Sequence, residues 1–251
     1  MLEIAKLKVP PAYQAVSTAL QKIILNGLLK PGEALPGEVE LAAKFGVNRS
    51  TVREGIRQLE SEGLVRREGR KRLVVTIPAH HDLAPRTTRA LVMNEVRFRE
   101  LWEVAYALEP LSAELAARHA READVLALKG NVERMAERIE RGESTGDLDL
   151  EFHTVLAECA DNRALLLSRE PVGLLLYPAF EAFREQIPQS PSRNLKAHRE
   201  IVSAVEAHDE ERAASWMRKH IEDLRRGWLL ADLGLDDRID PSLTYQDPSR
   251  P

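Results

Sequence analysis

Phe45-Gly46-Val47-Asn48-Arg49-Ser50-Thr51-Val52-Arg53-Glu54 is the stretch on which the fold turns. Gly46 can stop a helix and Asn48 or Ser50 can start one, because their side-chain oxygens accept from the unpaired N–H groups of a first turn. Upstream, residues 38–45 carry Leu41, Ala42 and Phe45 on one helical face. Downstream, a helix from Arg49 to about Glu62 turns Val52, Ile56 and Leu59 inward before Gly63 ends it. Two short helices joined by a tight turn make a helix-turn-helix.

Working outward, Val16, Leu20, Ile23, Ile24 and Leu28 lie at helical spacing over residues 13–29, and Lys30-Pro31-Gly32 stops that segment. Beyond Gly63, residues 64–67 and 73–76 are short β-type runs flanking residues 68–72, a hairpin. Helix, helix, turn, helix, hairpin is a winged helix-turn-helix. Residues 1–78 hold 13 Lys+Arg against 8 Asp+Glu, leaving 23 against 32 for the rest. A basic module on an acidic protein suits nucleic acid. If the third helix enters a major groove, Arg49, Ser50, Thr51 and Arg53 lead, with Arg57 one turn on. Arginine can read guanine O6 and N7, while hydroxyls suit phosphate. Arg70, Lys71 and Arg72 at the hairpin tip fit a minor groove or a phosphate track.

Residues 79–94, with His80, His81 and Pro85, break periodicity and read as a linker; 86–94 can add a helix. Amphipathic helices then follow at about 97–119, 122–141, 147–160, 163–186, 192–207 and 209–230. Short, turn-rich connections fit an antiparallel bundle. The expected chain is mainly α: a winged helix-turn-helix over 1–78, a linker over 79–94, an all-α bundle of six or seven helices over 95–233, and a polar, poorly ordered tail over 234–251.

Inside that bundle, Asp149 and His153 stand four apart and share a face flanked by Phe152 and Leu156. His198 leads a stripe with Ile201, Val202 and Val205, and His220 lies with Trp216, Met217 and Leu224. Each histidine alone fits an ordinary core histidine. Together, three histidines and a carboxylate at core-facing positions would be expensive to bury unless a shared cation satisfied them. His80, His81, His119 and His208 fall at linker, helix-end or turn positions and read as surface residues.

The remaining observations exclude classes. Cys159 is the only cysteine, so an internal disulfide is ruled out, and no apolar stretch is long enough to span a membrane. Glu3, Lys6 and Lys8 interrupt any leader-like apolar run, which points to a cytoplasmic protein. No nucleophile motif, general base or glycine-rich phosphate loop accompanies the histidines, so metal-dependent catalysis is a remote alternative.

Residues 35–42 (Leu-Pro-Gly-Glu-Val-Glu-Leu-Ala), 45–54 and 59–65 (Leu-Glu-Ser-Glu-Gly-Leu-Val) together resemble the GntR family of bacterial regulators. The resemblance implies that Arg49 and Arg53, with the hydroxyls between them, contact an operator. It departs at Val39, where many members have a DNA-contacting Arg, and at Lys71, where many have a wing-tip Gly. The C-terminal region is similar to the FCD effector domain of the FadR branch, with Asp149, His153, His198 and His220 on its metal-binding positions. That implies a divalent transition metal (zinc, nickel or manganese) beside a small carboxylate-bearing metabolite. It further implies a homodimer reading a short palindromic operator in double-stranded DNA, a repressor released by the ligand. A metal-free regulator binding an acyl or aromatic effector is the alternative. The family's ligand-gripping Arg is replaced by Ala105; Arg99, Tyr106, Arg163, Arg184 or Asn194 can substitute, and Trp102, Tyr106 and Tyr177 suit an aromatic ligand.

Overall fold

A computed structural model describes residues 10–69, 72–178, 180, 183 and 186–239. The chain divides into two compact units, Met1–Asp82 and Leu83–Pro251. Among the described residues are ten helices and one two-stranded hairpin.

The first unit contains α1 (Ala12–Leu25), α2 (Glu38–Phe45), α3 (Arg49–Ser61), β1 (Val65–Glu68) and β2 (Arg72–Val75). Its core joins Val16 and Leu20 of α1, Leu41 of α2, Val52, Ile56 and Leu59 of α3, and Val65 and Val75 of the hairpin. α1 and α3 approach so closely at Gly55 that a Cβ there would lie 2.9 Å from the Tyr13 carbonyl oxygen. β1 and β2 pair antiparallel, from Val65 opposite Val75 to Glu68 opposite Arg72. An isolated bridge from Ala34 to Val74 ties the segment before α2 to this hairpin. α1 ends four residues short of the expected Leu29. Gly27 takes φ +72°, and the N–H groups of Gly27 and Leu28 turn back to the carbonyls of Ile24 and Ile23. Leu28, expected in the apolar stripe, is therefore 73% exposed. Asn48 is the cap of α3: its Oδ1 accepts from the Thr51 N–H at 2.8 Å.

The second unit holds α4 (His80–Met93), α5 (Phe98–His119), α6 (Glu122–Glu140), α7 (Gly146–Cys159), α8 (Arg163–Leu176), α9 (Ser190–Glu206) and α10 (Glu210–Leu230). The division between the units falls in the first turn of α4. The expected linker over 79–94 is thus mostly helix, despite Pro85. Burial overrides the proline: Ala84 and Thr88 are buried on one face, Leu91 and Val92 pack on the core, and the Thr88 hydroxyl donates to the Pro171 carbonyl. α8 stops ten residues before the expected 186, since Pro178 has no N–H to extend the ladder. The start of the expected tail is also ordered. Residues 235–239 return along the entry to α5, where Phe98 and Arg99 donate to the carbonyls of Asp237 and Leu235 and Ile239 is buried. Residues 240–251 lie outside the described ones.

Candidate metal centre and nucleic-acid interface

Helical spacing brings the polar residues of the second unit together. Asp149 and His153 sit one turn apart on α7, with His198 supplied by α9 and His220 by α10. All four are buried, and one ligand atom from each lies within 4.8 Å of the others. An ion about 2.1 Å from each of four tetrahedral donors would hold them about 3.4 Å apart, so closing on an ion draws the most widely separated of these atoms inward. Ring stacking orients the imidazoles: Phe152 lies on His198 with centroids 3.7 Å apart, and Tyr177 on His153 at 4.0 Å.

The hydrogen bonding tests whether a cation fits. Glu109 Oε2 lies 2.9 Å from His153 Nδ1. A carboxylate only accepts, so this nitrogen carries a proton, and the ring turns its Nε2 inward. That Nε2 faces the Nε2 of His220 at 3.0 Å, a pairing that requires either a proton on one ring or a cation serving both. His198 Nε2 is 3.2 Å from Asp149 Oδ1, yet it is not aligned for a hydrogen bond, and both ring nitrogens of His198 are buried without partners. Orphaned imidazole nitrogens beside a buried carboxylate are what a coordinated ion would satisfy. Three nitrogens and one oxygen favour zinc or nickel over magnesium or calcium.

Electrostatics agree with ligation. Burial pushes the pKa of His198 down, opposed by Asp149, and that of His220 well down, reinforced by His198 and His153. Burial alone would raise Asp149, but His198 and its imidazole neighbours hold that carboxyl below the usual range. Neutral imidazoles beside an ionised carboxylate are the ligating forms.

Behind His153 lies a network that sequence reading missed. Glu109 Oε1 accepts from Arg169 Nε at 2.9 Å, and Arg169 Nη1 donates to Glu170 at 2.6 Å and to the Thr154 hydroxyl at 3.1 Å. Burial raises the Glu109 pKa, but Arg169 and His153 overcome it and bring it to about 2. Both charges were visible as interruptions of apolar stripes: Glu109 follows Leu101 and Ala105 on α5, and Arg169 sits between Leu165 and Val172 on α8. Gly173 makes room for the guanidinium, since a Cβ there would lie 2.5 Å from Arg169 Nη2.

Of the ligand candidates, Asn194 and Tyr177 join the cluster: Asn194 donates to Asp149 Oδ1 at 2.9 Å, and Tyr177 stacks on His153. Both line a small cavity with Asp149 and His220. Arg99 instead forks onto Asp236 at the surface, with both bonds at 2.9 Å. Trp102 donates to the Ile221 carbonyl, and Tyr106 is an exposed residue whose ring lies against Trp102. Arg163 is exposed at the start of α8, Ala105 is buried, and Arg184 lies outside the described residues. An adjoining cleft between α9 and α10 shares His220 and Asp223 with the cavity and adds Arg193, Lys196, Trp216 and Lys219.

In the first unit the residues expected to read DNA lie at the surface, with Arg49 and Ser50 exposed and Thr51 and Arg53 half-buried. Arg49 Nε donates to Glu38 Oε2 at 2.9 Å, and Arg53 donates to both Glu38 oxygens, at 3.2 and 2.8 Å. The hydroxyls of Ser50 and Thr51 both donate to Asn48 Oδ1, at 2.7 and 2.8 Å. Arg57 pairs with Glu54 at 3.0 Å, and Arg72 lies 4.0 Å from Glu68. Arg70 and Lys71 lie outside the described residues. Glu38 was not singled out from sequence, because an acid within a basic patch reads as a solvated residue.

Comparison with known proteins gives concordant results. The family pattern described as "Bacterial regulatory proteins, gntR family" matches residues 12–75, and that of the FCD domain matches residues 100–223. The "HTH-type transcriptional regulator LutR" of Bacillus subtilis is 30% identical over 213 residues, covering 82% of this chain and 97% of its own. The "Uxu operon regulator" of Haemophilus influenzae is 29% identical, covering 85% of this chain and 80% of its own. The solved structure titled "Streptococcus agalactiae GntR" superposes with a TM-score of 0.61 at 27% identity, over 85% of this chain and 99% of its own.

Proposed function

This chain belongs to the GntR family as a DNA-binding transcription regulator with an FCD effector domain, and from that premise we propose how it senses and reads. Asp149, His153, His198 and His220 hold a divalent transition metal, with zinc first and nickel or manganese as alternatives. The ion supplies a Lewis-acidic contact for a carboxylate of the effector. Tyr177 and Asn194 border that position, and the cleft in which Lys196 and Lys219 stand beside the Arg193–Asp223 ion pair draws in an anion. Arg49, Ser50, Thr51 and Arg53 of α3 read the operator as a homodimer on a short palindrome, in the cytoplasm where that DNA lies. Effector binding releases the operator, which requires unequal affinity of the effector for the two functional states.

The observation that carries the metal assignment is His198, whose two nitrogens are buried without hydrogen-bond partners beside Asp149. The test is fluorescence anisotropy of the zinc-loaded protein on a duplex selected from a random library, with a panel of small carboxylates. One class of carboxylate is expected to weaken binding about 5- to 150-fold, and His153→Ala is expected to abolish that response while leaving basal DNA affinity intact. A response retained in the variant would remove the metal from the mechanism.

A further inference from the structure

The surface offered to DNA contains an anion, and both of its oxygens are in use. Glu38 is the first residue of α2, and its side chain is only 15% exposed. One oxygen accepts from Arg49 Nε and Arg53 Nη2, the other from Arg53 Nε. Its pKa is brought down to about 2, chiefly by the hydrogen bonds from Arg53 and then Arg49, so it is ionised at neutral pH.

A guanidinium carries five N–H donors in a rigid plane. Arg49 spends Nε on Glu38 and keeps both Nη groups. Arg53 spends Nε and one Nη2 hydrogen, which leaves the opposite edge of its fork unspent. Each arginine can therefore hold the carboxylate with one edge and meet guanine O6 and N7 with another. The carboxylate does not occupy the reading edges. It fixes the direction in which they point, and an arginine already fixed surrenders less rotamer freedom on binding.

We propose that Glu38 is a positioning and specificity-determining residue for DNA reading. It fixes the planes of Arg49 and Arg53 for base edges, and its negative charge suppresses binding to non-cognate DNA. This rests on the assignment of α3 as the reading helix. The second effect follows from the source of sequence-independent affinity, which is attraction between basic side chains and phosphates. One carboxylate amid those cations weakens attraction to every duplex. Only the duplex whose bases engage the aimed arginines recovers the difference, and specificity is that difference.

The test uses the full chain. A recognised duplex is selected from a randomised library with the wild type, and affinities for it and for a scrambled duplex are then measured across a salt series. The variants are Glu38→Gln, Glu38→Asp, Arg49→Ala, Arg53→Ala and the Glu38→Gln/Arg53→Ala double. Glu38→Gln is expected to lower the ratio of selected to scrambled affinity roughly 10-fold, weakening the first duplex and strengthening the second. Glu38→Asp, which keeps the charge but shortens the reach, is expected to lower selected affinity without strengthening scrambled binding. In the double variant, Glu38→Gln is expected to add little further loss on the selected duplex. An unchanged ratio, or equal strengthening of both duplexes, overturns the proposal. If Arg49→Ala and Arg53→Ala leave selected affinity intact, the assignment of α3 fails instead. Melting curves check folding, and if the Gln variant melts early the Asp variant carries the test.

Discussion

The two units use polar side chains in opposite ways. In the first, Arg49 and Arg53 have side chains 62% and 43% exposed, and their partner Glu38 shares the same surface. In the second, Asp149, His153 and His198 are at most 2% exposed, and Glu109 and Arg169 are as deeply buried behind them. An exposed ion pair is screened and adds at most about 1 kcal/mol of stability. Its significance is in recognition, where the same groups meet a partner. A buried polar cluster is costly unless every group is matched, so its contribution to stability is conditional on what completes it. The DNA-binding unit thus keeps its function apart from its folding. The effector unit does not, and a ligand bound there necessarily acts on the stability of the domain.

The deepest pair offers the strongest way to break that contrast. Arg169→Leu removes the guanidinium that balances the buried Glu109 and Glu170 carboxylates, and removing one partner of a buried pair costs about 3–5 kcal/mol. Urea denaturation followed by the far-UV signal measures it, and a loss below about 1 kcal/mol would place the pair among exposed ones. Gly173→Ala sharpens the same point without removing a charge. Its Cβ would meet Arg169 Nη2 at 2.5 Å, and overpacking of this kind costs about 1–3 kcal/mol in thermal or urea unfolding.

The smallest effect belongs to the surface. The Glu38 pKa is about 2 in the folded protein, against about 4.3 in an unfolded chain. A carboxyl with a depressed folded pKa contributes stability that is complete above the unfolded value and is lost as pH falls toward the folded one. Because the partner arginines are exposed, that contribution is under about 1 kcal/mol. Glu38→Gln is therefore expected to leave stability nearly unchanged at pH 7 and to flatten the acid limb slightly between about pH 4 and 2. A loss of several kcal/mol at pH 7 would erase the contrast between the units.

How much was legible in the sequence follows the same divide. The helix-turn-helix could be read because its signals are local: Gly46 in the left-handed region, Asn48 at the cap, and Val52, Ile56 and Leu59 at helical spacing. Asp149, His153, His198 and His220 were legible as a cluster because each sits on an apolar stripe. Long-range packing hid the rest. Pro85 and the two neighbouring histidines suggested a linker, yet Ala84, Thr88, Leu91 and Val92 gave that segment a face to bury. Helix α8 looked longer because apolar residues continue past Leu176, where Pro178 ends the hydrogen-bond ladder. Arg99 was a reasonable ligand group by position, but Asp236, 137 residues away, claims it. Glu109 and Arg169 were visible as charges on apolar stripes. Their pairing, across 60 residues, was not.

The most direct test of the account is elemental analysis of the purified full chain, beside thermal melting with and without chelator, for wild type and His198→Ala. The account predicts about one transition-metal ion per chain in the wild type and little in the variant. At ligand concentrations about 1,000-fold above the dissociation constant, an ion that binds only the folded state adds about 4 kcal/mol. At about 2–4 °C per kcal/mol for a domain of this size, chelation should lower the wild-type melting temperature by about 10 °C and leave the variant's unmoved. Wild-type protein that takes up no zinc, nickel or manganese, and melts identically with and without chelator, would contradict it.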